Sequence, residues 1–357
     1  MKVTEVDTPA VLIDLDRVEA NLKRAQDYAD AHNLALRPHI KTHKLPQLAK
    51  RQLALGAIGI TCQTIGEAEA MADAGITDIF LPYNILGSAK LNRLAALNAR
   101  VTIAVTADSA ETIGSYAAAF TAAAPLVVLV ECDTGANRCG VQTPDQAVTL
   151  ARLINDSPGL IFGGLMTYPP TNGIRVADTW LARTKQALDA ADLSPPVISS
   201  GGTPDLLQAG EATVTTEYRP GTYIYSDRMQ VALGHGRLDD CALTVKATVV
   251  SRPTENRAVL DAGSKALAAD RAPDPAVGHG HIMEYPQAVI TGLSEEHAIV
   301  DLANCGAKPA IGDTVRVIPN HACVVSNLFD RVHLIRGDNV EDMPIIMARG
   351  QWQTTPA

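Results

Sequence analysis

Eight short apolar runs follow one another between residues 34 and 220: "LALRPH" (34–39), "AIGIT" (57–61), "DIFLP" (78–82), "VTIAV" (101–105), "LVVLVE" (126–131), "LIFGGLMT" (160–167), "PVISS" (196–200) and "TEYRP" (216–220). Between them lie Ala- and Leu-rich segments whose apolar positions recur at helical spacing, as in "IGEAEAMADAG" and "TPDQAVTLARLIND". Short apolar runs alternating with helical segments predict parallel strands in βα units. Eight such units predict an α/β fold, the TIM (β/α)8 barrel, with a doubly wound sheet as the alternative. Ahead of the first run, "AVLIDL" reads as a strand and Asp16 opens the helical pattern "RVEANLKRAQDYADAH".

Beyond residue 236 the texture changes. "CALTVKATVVSRP", "RAVLDAG", "HAIVDL", "TVRVIPNHACVV" and "RVHLI" are β-branched runs divided by Gly, Pro and Asp, with no comparable helical stretch between them. The expected organisation is therefore a barrel over 10–235 and a mostly antiparallel β domain over 236–357. Residues 1–15 are free to join the second.

Composition narrows the partners. The 357 residues carry 30 basic and 39 acidic side chains, a formal charge of −9, which argues against a broad nucleic-acid surface and for a small molecule. No apolar stretch reaches the ~18 residues of a membrane span. The start "MKVTEVDTPAVLIDLD" has no basic segment leading into a long apolar run, so it does not read as a signal peptide. Six cysteines at 62, 132, 139, 241, 305 and 323 form no CxxC pair. A cytoplasmic protein with reduced thiols is expected.

Barrel chemistry sits at the carboxyl ends of the strands, so the residues after each run are the candidates. In "RPHIKTHK", Lys41 stands among Arg37, His39, His43 and Lys44. Crowded cations and partial burial favour the free amine that Schiff-base chemistry needs, against the plainer reading of a solvated basic loop. "SSGGTPDLL" offers Gly201, Gly202 and Thr203 between a strand and a helix, and "YRPGTYIY" offers Gly221 and Tyr223 after the last strand. The loops after the last two barrel strands are the usual phosphate site. A Schiff-base lysine facing a phosphate site across the barrel is the layout that pyridoxal phosphate requires. In "PNHACVV", read as extended, His321 and Cys323 project from one face as an open zinc-type ligand pair. The competing reading is a turn histidine beside a core cysteine.

The motifs "TPAVLIDLDRVEANL", "LRPHIKTHK", "CQTIGEAEAM", "DTGANRCGV", "SGGTP", "RPGTYIY", "LDAGSKAL", "SEEHA" and "PNHACVVSNL" occur in the order found in the fold type III pyridoxal phosphate enzymes of the D-serine dehydratase and D-threonine aldolase family, which this chain resembles over nearly its whole length. The resemblance implies an alanine racemase-like barrel joined to a β domain, working as a homodimer. It implies that Lys41 carries the cofactor, that Gly201, Gly202, Thr203, Gly221 and Tyr223 cradle its phosphate, that Arg138 and Tyr168 flank its ring, and that His321 and Cys323 bind the metal. Zinc is favoured over manganese or magnesium, because the His-x-Cys spacing resembles D-serine dehydratases where typical D-threonine aldolases have His-Cys-Asp. The implied activity is a lyase converting a D-3-hydroxy amino acid, D-serine or D-threo-3-hydroxyaspartate, to a 2-oxo acid and ammonia. Retro-aldol cleavage to glycine and an aldehyde is the alternative. An amino-acid racemase and a non-catalytic cofactor-binding protein are the further readings.

Overall fold

The computed structural model describes residues 1–351, so the last stretch of the expected β domain, 352–357, lies outside the described residues. The chain forms two compact units. Among the described residues, one comprises 24–221 with 350–351, and the other 1–23 with 222–349.

The first unit holds eight parallel strands, each falling on one of the eight predicted runs. They are β2 (Ala35–Leu36), β3 (Ile60–Thr61), β4 (Asp78–Leu81), β5 (Thr102–Ala107), β6 (Leu126–Cys132), β7 (Leu160–Thr167), β8 (Val197–Ser200) and β9 (Glu217–Tyr218). The strand before them, β1 (Ala10–Asp14), belongs to the other unit. Their ladder runs β2-β9-β8-β7-β6-β5-β4-β3. A parallel bridge between His39 and Thr61 joins its two ends, with Thr61 N–H donating to the Pro38 carbonyl at 2.8 Å and Ile58 N–H to that of Leu36 at 2.9 Å. The sheet thereby curls back on itself, as the barrel expectation requires.

Capping residues mark the starts of three of the helices between these strands. Helix α1 is Leu15–Ala31, and α2 (Pro46–Leu55) has proline in its first turn and Gly56 at its end with φ +122°. Helix α3 (Ile65–Asp73) is capped by Thr64 and α5 (Ala110–Ala119) by Ser109, α4 (Ser88–Asn98) lying between them. Helix α6 (Pro144–Asn155) opens with a Thr143–Gln146 capping box, and α7 (Ile174–Ala190) follows. Inside the strands, Phe80, Leu129 and Met166 form an apolar layer, against which the Phe80 ring carries the Arg219 guanidinium at 5.7 Å.

The second unit is a nine-stranded, mostly antiparallel sheet. Its strands are β1 (Ala10–Asp14), β10 (Leu243–Thr254), β11 (Arg257–Leu260), β12 (His281–Ile282), β13 (Val289–Leu293), β14 (Ala298–Asp301), β15 (Thr314–Ile318), β16 (His333–Arg336) and β17 (Asn339–Asp342). In this sheet β1 pairs antiparallel with β10 and parallel with β16. Lys246 on β10 secures the preceding segment by donating to the carbonyls of Val3 (3.0 Å), Thr4 (3.3 Å) and Val6 (2.5 Å). Short helices α8 (Arg228–Ala232), α9 (Ser264–Leu267) and α10 (Ala322–Leu328) interrupt the strands. No helix among the described residues is long and apolar enough to cross a membrane.

The expectation for "TVRVIPNHACVV" is corrected here. Its first half is β15, but the chain leaves the sheet at Pro319. His321 then stands at the N-terminal boundary of α10, without a capping side-chain bond, and Cys323 lies in the first turn of that helix.

Candidate functional site

In the barrel unit, three loops meet because β2, β9 and β8 are neighbours. Lys41 lies in a 3-10 turn, Ile40–Thr42, directly after β2. A Cβ on Gly221, after β9, would lie 3.3 Å from the His39 Cβ and 3.4 Å from the Thr42 hydroxyl. Gly221 in turn donates its N–H to Thr203 Oγ1, after β8, at 3.2 Å. The lysine loop and the two glycine loops are thus adjacent. The sequence reading set them across the barrel, overlooking that closure makes the first and last strands partners.

The basic cluster is less bare than it looks in sequence. Arg37 is tied to Glu217 at 2.6 Å and to Asp78 at 2.5 Å, and Lys44 to Glu67 at 3.2 Å. His39 is buried, and burial followed by the nearby Lys41 charge holds it well below its ordinary pKa. It accepts the Lys41 backbone N–H on Nδ1 at 3.3 Å, so Nε2 carries the proton and donates to Gln63 Oε1 at 3.2 Å. His43, wholly buried against Gln52, is pushed down to about 4, chiefly by burial. Crowding by cations therefore does not describe the surroundings of Lys41: two neighbours are neutral and two are ion-paired.

Packing around these loops requires their glycines. Gly201 has φ +96°, and a Cβ there would come within 2.1 Å of the Tyr218 ring. At Gly202 a Cβ would approach Tyr168 Cε2 to 2.9 Å, which places Tyr168 at the edge of the same loop. Arg138 lies over the Tyr168 ring at 4.9 Å. Backbone without side chains at Gly201 and Gly202, beside the Thr203 hydroxyl, suits an oxyanion, so these residues fit a cofactor phosphate. The expected helix N-terminus is absent from this loop; a 3-10 helix begins only at Leu206. Tyr223 belongs to the other unit.

Sequence reasoning missed Arg219, although it quoted the stretch containing it. This fully buried guanidinium donates to Ser199 Oγ at 2.5 Å and to the Thr167 carbonyl at 2.7 Å, while Ser199 binds Glu217. Burial pushes its pKa down to about 10, so it stays charged at neutral pH. A cavity of about 110 Å³ lined by Gln63, Leu81, Tyr83, Lys90 and Arg93 opens at the carboxyl ends of β3 and β4.

In the β unit, His321 and Cys323 remain together despite the change from strand to helix. The thiol hydrogen-bonds the imidazole and, with that contact first, the His321 pKa is raised to about 9. Thr222 Oγ1 is 3.4 Å from Cys323 Sγ. Asp227, buried, accepts the N–H of Ala322 at 3.0 Å and of Gln230 at 2.9 Å, pinning the start of α10. Among the described residues no three His, Cys, Asp or Glu side chains form a complete metal cage. An imidazole and a thiol with positions left open fit a catalytic zinc-type ion better than a closed structural one. Elsewhere in the unit, Glu296 is exposed and paired with Lys265 at 2.9 Å.

The chain matches the alanine racemase N-terminal domain over residues 13–229 and the putative serine dehydratase domain over 242–335. It is 35% identical to D-threonine aldolase of an Arthrobacter species, over 98% of this chain and 94% of that one. Among solved structures, D-threonine aldolase from Filomicrobium marinum superposes with a TM-score of 0.90 at 32% identity, covering 98% of this chain and 97% of that one. A cysteine variant of D-threo-3-hydroxyaspartate dehydratase, in its metal-free form, gives 0.88 at 30%, covering 96% and 98%. A histidine variant of the same enzyme gives 0.85 at 30%, covering 94% of each chain. The two substituted positions in that enzyme are two residues apart, the spacing of His321 and Cys323 here.

Proposed function

The chain belongs to the fold type III pyridoxal phosphate enzymes that join an alanine racemase-like domain to a serine dehydratase domain, and on that basis we propose that it is a lyase dehydrating D-3-hydroxy amino acids, D-serine or D-threo-3-hydroxyaspartate, to a 2-oxo acid and ammonia. The observation that carries this reading is the His-Ala-Cys spacing at 321–323, set beside the histidine and cysteine substituted in the dehydratase structures.

Bound pyridoxal phosphate supplies an electron sink for the pair of electrons left when a bond to the substrate Cα breaks. Lys41 Nζ would hold the cofactor's aldehyde carbon and, once released, take the proton from the substrate Cα. His39 and Gln63 set the path of the Lys41 backbone, and the Thr203 hydroxyl with the backbone of Gly201 and Gly202 would hold the phosphate, Gly221 aiding by the N–H it donates to Thr203 Oγ1. Arg138 and Tyr168 would flank the cofactor ring. Hydroxide leaves poorly by itself, and a divalent ion on His321 and Cys323, zinc by its donor set, supplies the Lewis acidity that the substrate 3-hydroxyl needs.

Retro-aldol cleavage is the second reading, favoured by the 35% identity to the Arthrobacter D-threonine aldolase. It uses the same residues, because either outcome needs an acidified hydroxyl and an electron sink. Incubating the holoenzyme with D-serine, D-threonine and D-threo-3-hydroxyaspartate, and measuring ammonia against glycine, separates the two. Glycine as the sole amino product would overturn the dehydratase reading.

A further inference from the structure

We propose that Asp270 is the positioning residue for His321, its carboxylate holding the imidazole by Nδ1–H so that Nε2 is the nitrogen offered to a divalent cation beside the Cys323 thiolate. The inference rests on the reading of His321 and Cys323 as metal ligands and adds a residue which the metal motif itself does not contain.

Asp270 Oδ1 lies 3.3 Å from His321 Nδ1. An ionised carboxylate only accepts, so the proton of this bond sits on Nδ1. The loop that brings Asp270 there is anchored by the residue preceding the histidine. Asn320, 1% exposed, donates from Nδ2 to the carbonyls of Asp270 and Gly278, both at 2.9 Å, and its Oδ1 receives Arg228 Nη1 at 3.2 Å. Two successive residues, Asn320 and His321, thus grip one loop position, the first through its backbone and the second through its side chain. Asp227 is the other carboxylate beside His321, but it acts on the ring through charge alone while its oxygens take the Gln230 and Ala322 amides; the hydrogen bond to the imidazole is that of Asp270. Asp270 is therefore the carboxylate that orients the ring. A carboxylate on the far nitrogen of a metal-binding imidazole fixes the tautomer and raises the basicity of the ligating nitrogen.

The test is zinc affinity, measured on the purified full chain by competition with a chromophoric chelator, for the parent, Asp270→Ala, Asp270→Asn and His321→Ala. Asp270→Ala should bind zinc about 10- to 100-fold more weakly. Asp270→Asn should lose less, since an amide oxygen still accepts Nδ1–H. Melting temperatures should match the parent, because Asn320 holds the backbone carbonyl of residue 270 rather than its side chain. If Asp270→Ala binds zinc within about twofold of the parent while His321→Ala does not, Asp270 has no such role and the metal reading stands. If His321→Ala binds like the parent, both fall.

Discussion

Lys41 donates its backbone N–H to Nδ1 of His39, two residues earlier, at 3.3 Å, and the far side of that imidazole is held by Gln63 on the neighbouring strand's loop. A neutral imidazole is thus part of the turn that aims the lysine. Because burial keeps it neutral, its role should not change with pH across the neutral range.

His39→Leu removes both hydrogen bonds while keeping an apolar volume. It should lower kcat/KM by about 10- to 100-fold, the scale of a misplaced catalytic group. The pH–rate profile of the variant should keep the parent's shape. A new or lost limb in that profile would show that His39 acts by exchanging protons instead.

His43 links the same turn to stability. Its folded pKa of about 4 lies below the unfolded value of 6.5, so the unfolded chain binds the proton more readily. The contribution is complete above about pH 6.5 and is lost as pH falls toward 4. At about 1.4 kcal/mol per pKa unit the loss is about 3 kcal/mol. Urea unfolding at about pH 5 and pH 7 should therefore show a smaller pH difference in His43→Gln than in the parent. Equal differences would sink the assignment.

Lys44 and Glu67 form an ion pair whose side chains are only 9% and 3% exposed. Lys44→Met alone strands a buried carboxylate and should cost about 3–5 kcal/mol. Adding Glu67→Gln, whose amide oxygen can still accept the Gln63 N–H, should recover part of that. A double-mutant cycle checks it, and additivity within about 0.5 kcal/mol would contradict the coupling.

Gly201→Ala places a methyl group against the Tyr218 ring at a positive φ and should cost about 2 kcal/mol or more. Affinity for pyridoxal phosphate, read by absorbance titration, should fall with it. Gly202→Ala meets only Tyr168, a ring 40% exposed and able to swing aside, so its effect should be smaller. The order of the two variants is the outcome to watch. Equal tolerance would mean that the loop is not held as described.

The eight strands of the barrel were legible because each is a short apolar run between turn signals, and that pattern is local. The second sheet was read less completely. β12, β13 and β17 are two to five residues long and partly polar, too short for alternation to stand out. The helix at Ala322–Leu328 reads as strand in sequence because "ACVV" is apolar and ends in two β-branched valines. What starts it is the Asp227 carboxylate on the Ala322 amide, a partner 95 residues away.

The sequence by itself determined the residue types and the ends of strands on which they stand: Lys41 after β2, glycines after β8 and β9, and a histidine and cysteine two apart. Hydrophobic period and turn chemistry are properties of neighbouring residues, so a single chain displays them. Only the tertiary structure decided that the lysine and glycine loops adjoin, since closure pairs the first strand with the last. It alone paired or neutralised the neighbours of Lys41, through Glu217, Asp78, Glu67 and burial, and brought Asp270 to His321. Burial and distant partners are set by the path of the whole chain, and no local pattern encodes them.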